Sequence, residues 1–126
     1  MINYKKIAEL YIKDTIPTYS YIYIISDNNG YIKVGISKHP EKRLKQLQTG
    51  HPNNLTLLFT EEFECKRRHL LKIEKLIHRK IHDIAKHMKG EWFAIEDDQI
   101  EKIKSIIIQH RIQYDADPIT LEYLIS

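Results

Sequence analysis

Sulfur is nearly missing from this chain, which has one cysteine, Cys65, and two methionines in 126 residues. A lone cysteine forms no internal disulfide and suggests no cysteine-based zinc site, so a reducing compartment is the expected setting. Long apolar runs are missing as well. The longest, YIYII at 21–25 and III at 106–108, fall far short of the roughly 20 residues that cross a bilayer. The opening MINYKKIAEL mixes charged with apolar side chains and reads as no secretory signal, so a cytoplasmic protein without membrane partners is expected. Glycine and proline number four each, and there is no low-complexity stretch, internal repeat or flexible linker. What remains is an ordinary soluble composition, 42% hydrophobic and 29% charged. A chain of this length has room for one compact domain and one good site, which excludes a large multi-domain enzyme.

A net charge of +3 conceals a strong asymmetry. Residues 66–90 hold nine basic against two acidic side chains, whereas residues 91–126 hold three against eight. The stretch CKRRHLLKIEKLIHRKIHDIAKHMKG can follow a phosphate backbone, and its histidines at 69, 78, 82 and 87 add charge below neutral pH. On charge alone a solvated helix face explains it equally well.

Hydrophobic periodicity places a helix at 3–13 and a hairpin of strands at 20–26 and 31–36. The hairpin turns through Asp27-Asn28-Asn29-Gly30, whose Asn-Gly end suits positive φ. Pro40 starts a short amphipathic helix that Gly50 stops. LTLLFTEEF at 55–63 is a third strand. Apolar residues at 70, 73, 77, 81, 84 and 88 predict a helix from Arg67 to about Met88 that packs on a sheet. WFAI at 92–95 is a short extended piece, 97–112 a last helix, and the segment from Gln113 is unassigned. The expected fold is α+β, a small three-stranded antiparallel sheet flanked by helices, with an added N-terminal helix. The expected boundaries are an extension over 1–18, a core domain over 19–108 and a tail over 109–126 that could cover the basic helix or a second subunit through acids such as Asp115, Asp117 and Glu122.

The residues on these elements say more than their order. Tyr21-Ile22-Tyr23 lies on the first strand, Lys33-Val34-Gly35 on the second, Arg43 opens the next helix, and Glu74 and His78 lie on the long helix before Gly90-Glu91-Trp92-Phe93. Ten residues separate Tyr23 from Lys33 and ten more separate Lys33 from Arg43. This ordered set, over about residues 20–96, resembles the GIY-YIG endonuclease superfamily, in particular its phage and bacterial branch with lysine in place of the second-motif tyrosine. The resemblance implies a metal-dependent DNA endonuclease that makes one cut per active site, hence a nick from a monomer. It implies Tyr23, Lys33, Arg43, Glu74 and His78 as the catalytic set, with Glu74 the ligand of Mg2+, for which Mn2+ can substitute. Duplex DNA is the implied partner, contacted by Lys38, Lys42 and Lys45 and by Lys66, Arg67, Arg68 and Lys72. No attached DNA-binding module is evident, so specificity falls to loops, a homodimer or a partner protein. Ser20 or Tyr21 stands in place of the first-motif glycine. Leu47, between Gln46 and Gln48, stands where many relatives carry a histidine or tyrosine, which leaves His51 or His78 to help the nucleophile. Loss of efficient cleavage with retained nucleic-acid binding is the alternative outcome.

The residue types suit the chemistry independently. Phosphodiester hydrolysis requires a deprotonated water, neutralisation of the phosphorane-like charge and stabilisation of the departing 3' oxygen. Tyr23 could serve as base only if nearby positive charge favours the phenolate, and Lys33 across the hairpin is the expected source. Arg43 has a fork that fits two phosphate oxygens. Glu74, among Leu70, Ile77 and Ile81, is costly to bury alone, and a divalent cation would be its partner. Plainer readings exist for each: a satisfied core tyrosine, an edge-strand lysine, a solvent-facing arginine, a Glu74–His78 helix contact, and Glu91 at the rim of a structural Trp92-Phe93 pair. Glu74, His78 and His82 also recur at helical spacing that can bind zinc, but without a further ligand cluster. If the basic segment contacts duplex, neutralising Lys66, Arg67, Arg68 or Lys72 singly should flatten the slope of log affinity against log salt by about 0.9 per lost contact. Salt titrations of duplex binding measure this, and unchanged slopes would leave the segment a solvated surface.

Overall fold

The computed structural model describes residues 3–7 and 18–117. Nine-residue β1 (Thr18–Ser26) pairs antiparallel with β2 (Tyr31–Ser37), in register Tyr23 opposite Gly35 and Ile25 opposite Lys33. The turn between them closes on Asp27, whose buried carboxylate accepts from the backbone N–H of Asn29 at 2.8 Å and of Tyr31 at 3.0 Å. Positive φ falls at Asn28 (59°) and Gly30 (91°), the two residue types that tolerate it best. After α1 (Pro40–Gln48), β3 (Thr56–Cys65) pairs with the other side of β1.

The chain then departs from the expected layout. The long helix α2 (Arg67–His82) stops at His82 instead of continuing to Met88. Asp83 caps its end through backbone bonds to the Lys80 and Ile81 carbonyls, and residues 86–89 form a strand, β4 (Lys86–Lys89). Strand β5 (Trp92–Ala94) follows a turn at Gly90, φ 59°. β5 pairs antiparallel with both β2 and β4, giving among the described residues a five-stranded sheet in the order β3-β1-β2-β5-β4 rather than the three strands expected. The physical reason is the open edge of β2: a second hairpin laid there satisfies its backbone N–H and C=O groups, which further turns of helix would leave unpaired.

The last helix, α3 (Gln99–Ala116), runs beyond the expected end at 112. It buries Ile103, Ile107, His110 and Tyr114 at helical spacing, so residues 109–116 are packed on the domain. Its far end is tied down by a hydrogen bond between Tyr114 Oη and His69 Nδ1 (2.8 Å) and by Arg111, 2.9 Å from Glu61 on β3. Asp115 pairs with Arg111 on its own helix at 2.9 Å rather than with the basic helix. Glu122 lies outside the described residues, as does most of the expected N-terminal helix, of which Tyr4 to Ile7 are helical.

Alternation along β1 divides the interior in two. Ile22 and Ile24, with Ile32 and Val34, face the main core under α2 and α3, built on Phe63, Ile73, Ile77, Ile81, Phe93 and Ile107. Tyr23 and Ile25 face the opposite way, into a small cluster with Leu55, Leu44, Leu47 and Trp92 beneath α1. Among the described residues no helix is long and apolar enough to cross a membrane. Because Ile107 is 0% exposed and Ile112 is 52% exposed on the same helix, the two should differ sharply under truncation. Ile107→Ala should cost about 2–5 kcal/mol in urea unfolding, whereas Ile112→Ser should stay within about 0.5 kcal/mol. Equal losses would contradict the docking of α3.

Candidate active site

The register of the first hairpin sets Tyr23 directly opposite a residue without a side chain. A Cβ at Gly35 would sit 2.5 Å from the Tyr23 hydroxyl oxygen and 2.8 Å from Glu91 Oε2. Both oxygens thus share the hollow that the glycine leaves. Glu91 reaches it from the turn between β4 and β5, where its carbonyl accepts the Val34 N–H at 3.2 Å. Lys33, two residues before Gly35 on the same face, places Nζ 3.0 Å from Glu91 Oε2 and 5.9 Å from the centre of the Trp92 ring.

This differs from the expected use of Lys33. The cation beside the Tyr23 hydroxyl is Arg43, from the first turn of α1, while Lys33 is engaged by Glu91. Tyr23 is nearly fully buried, and burial raises its phenol above the ordinary value. Arg43 pulls the other way, and the negative charges of Glu91 and Glu74 add to the rise. The phenol is therefore neutral around physiological pH, against the phenolate that a lysine neighbour was expected to favour. Glu74, from the middle of α2, is pushed up to about 7, first by burial and then by Glu91, with Lys33 opposing. It forms no ion pair or hydrogen bond among the described residues.

The histidines are engaged elsewhere. His78 Nε2 lies 2.9 Å from the Val34 carbonyl, so that nitrogen carries the proton, and its ring meets Phe93 edge-on at 5.4 Å. His78 therefore steadies β2 between Lys33 and Gly35. The His82 ring also packs edge-on against Phe93. Among the described residues no three His, Cys, Asp or Glu side chains are arranged to hold a metal ion, so the helical Glu74-His78-His82 spacing forms no zinc centre. His51 accepts the Asn53 N–H at Nδ1 (3.1 Å) and stacks on Trp92 at 5.5 Å, which leaves its proton on Nε2. Leu47 packs in the small cluster, and Gln48 braces the next loop through Asn53 and Leu55.

Two clefts lie on this part of the fold, and the first is lined by Glu74 and Glu91 of this cluster. One, of about 400 Å³, is lined by Thr18, Ser20, Lys38, Arg67, Glu74 and Glu91 among others. The second, of about 730 Å³, runs between α1 and the sheet and is lined by Tyr21, Lys38, Lys42, Lys45 and Thr60 among others. Lys38 borders both. Lys66, Arg68 and Lys72 lie along α2 outside these linings, Arg68 exposed and the two lysines half-buried. The tyrosine, lysine, arginine and glutamate singled out by spacing are thus neighbours. Glu91 is the member that sequence reasoning undervalued, and its signal was its place immediately after Gly90.

A phenol, two cations and two carboxylates thus gather on an antiparallel α+β scaffold, an arrangement that suits a nuclease-like domain. The chain belongs to the T5orf172 domain family, whose sequence profile matches residues 19–108, a phage-associated and nuclease-related family. No curated protein and no solved structure matches the chain.

A raised Glu74 carboxyl makes stability depend on pH with a definite sign. Its folded value of about 7 exceeds the ordinary 4.5, so its contribution is full below the unfolded value and is lost as pH rises through the folded one. Glu74→Gln should therefore match the wild type near pH 4 and melt at a higher temperature than the wild type at pH 8. Thermal midpoints compared across that range without divalent cations check this, and parallel curves would contradict the burial of the carboxylate.

Proposed function

We propose that this chain is a metal-dependent DNA endonuclease of the GIY-YIG type, hydrolysing one phosphodiester per active site and so nicking duplex as a monomer. The observation that carries this reading is the meeting of Tyr23 and Glu91 over Gly35, with Arg43 beside the Tyr23 hydroxyl and Lys33 3.0 Å from Glu91. Arg43 offers a planar fork to the scissile phosphate. Neutral Tyr23 donates a hydrogen bond to a phosphate oxygen or orients the attacking water, and Lys33 adds positive charge while fixing Glu91. Glu74 suits a hard cation: it is an unpaired carboxylate in a cleft with room for water and a phosphate oxygen, the sparse protein donor set that Mg2+ accepts and Mn2+ shares. A divalent cation held there would supply charge to the departing 3' oxygen. His78, through Nε2 and the Val34 carbonyl, positions the β2 backbone beside Lys33 and Gly35.

The surfaces agree with a duplex partner. Lys38, Lys42 and Lys45 border one cleft, Arg67 the other, and Lys66, Arg68 and Lys72 extend the positive charge along α2. Such contacts hold phosphates without reading sequence, and a double-strand break would require a second active site from a homodimer or a partner protein. Purified protein incubated with covalently closed plasmid and linear duplex should yield nicked circles only with Mg2+ or Mn2+. Glu74→Ala, folded by circular dichroism, should not cut. Arg43→Ala should lose about 100-fold or more in rate, as when one charge-stabilising donor is removed. Tyr23→Phe should bind duplex as the wild type does yet cut slowly. Wild-type cutting by Glu74→Ala would refute the metal role, and duplex binding without cutting under any cation would favour the binding-module alternative.

A further inference from the structure

Hydrolysis needs a group that takes the proton of the attacking water, and most candidates near the cleft are committed. Tyr23 is held in its neutral form by burial. His78 is fixed by Nε2 to the Val34 carbonyl and by its ring to Phe93 and lines neither cleft, and His51 already accepts at Nδ1 from Asn53. On the nuclease reading above, Glu74 is committed to the cation.

Glu91 remains. Its Oε2 is fixed 3.0 Å from Lys33 Nζ, in the hollow over Gly35 that it shares with the Tyr23 hydroxyl. Its backbone is pinned to β2 by the Val34 N–H. Its side chain is 35% exposed against 11% for that of Lys33, and it lines the same cleft as Glu74 and Arg67. One oxygen is thus anchored, while the carboxylate still borders the space where water and phosphate would meet. The groups around it are Tyr23 from β1, Lys33 from β2, Lys38 after β2, Arg43 from α1, and Glu74 and Arg67 from α2.

We propose that Glu91 is the proton acceptor of the hydrolysis, held in place by Lys33 and by the missing side chain at Gly35. The inference rests on the nuclease reading. A water O–H bond breaks, its proton passes to the Glu91 carboxylate and its oxygen forms a bond to phosphorus. The bond from phosphorus to the 3' oxygen breaks, and the departing oxygen takes a proton from solvent. Glu91 then returns its proton to bulk water, so the balance closes without any further reactant.

Single-turnover cleavage of duplex at saturating Mg2+ tests this, alongside duplex affinity and Mn2+ affinity measured by electron paramagnetic resonance. Glu91→Gln should slow cleavage by about 100- to 10,000-fold, the range of general-base contributions. Its duplex affinity should be equal or higher, and its Mn2+ affinity should stay within about two-fold of wild type. Removing the charge leaves buried Lys33 without its partner, so Glu91→Asp is the second variant. It keeps a negative charge near Lys33 but retracts the carboxylate, and should slow cleavage at least about ten-fold with the fold retained by circular dichroism. Either Glu91 variant cutting at the wild-type rate overturns the assignment. So does a ten-fold loss of Mn2+ affinity in Glu91→Gln, which would make Glu91 a metal ligand. A wild type that binds duplex and cuts nothing overturns the nuclease reading itself.

Discussion

The site depends on a volume that is left empty. Opposite Tyr23 the sheet offers only the α-carbon of Gly35, and any side chain there would overlap the Tyr23 ring and the Glu91 carboxylate at distances that real atoms do not adopt. Two oxygen-bearing groups from different hairpins therefore meet above one point of β2. The hairpin register holds the phenol, and the second hairpin brings the carboxylate. The short Trp92–Ala94 strand, which adds little area of its own, fixes where Glu91 stands relative to Tyr23 and Lys33.

Charge is balanced tightly within this space. Lys33 is buried, a position lysine rarely takes unless it is paired, and Glu91 is its counterion. Arg43 faces a phenol that burial keeps protonated, so its positive charge is not neutralised by Tyr23. Glu74 bears the cost: desolvated and close to a second carboxylate, it holds a proton up to about pH 7 in the absence of a cation.

Much of this was legible in the sequence, for identifiable reasons. The Asp27-to-Gly30 turn and the alternation through Tyr21 to Ile25 carry strong local signals, and the inward stripe of α2 at Leu70, Ile73, Ile77 and Ile81 is buried as the periodicity requires. The same pattern misled beyond His82. Positions 84 and 88 satisfy helical spacing, but the edge of β2 is a partner some fifty residues away, and no local pattern reports an unpaired edge. The spacing of Tyr23, Lys33, Arg43 and Glu74 pointed to neighbours. Which cation would meet which anion depended on strand pairing, and that moved Lys33 from Tyr23 to Glu91.

β3 has a different bearing on the molecule. Among the described residues it ends the sheet with one side unpaired, and Glu62 and Glu64 are exposed on it, beside Glu61, which is engaged by Arg111. A second copy adding its own β3 in line would set carboxylate against carboxylate across the new ladder, where like charges are destabilising. The row of acids thus guards the sheet against end-to-end propagation into fibres. Any symmetric pairing of two such domains is steered towards other surfaces.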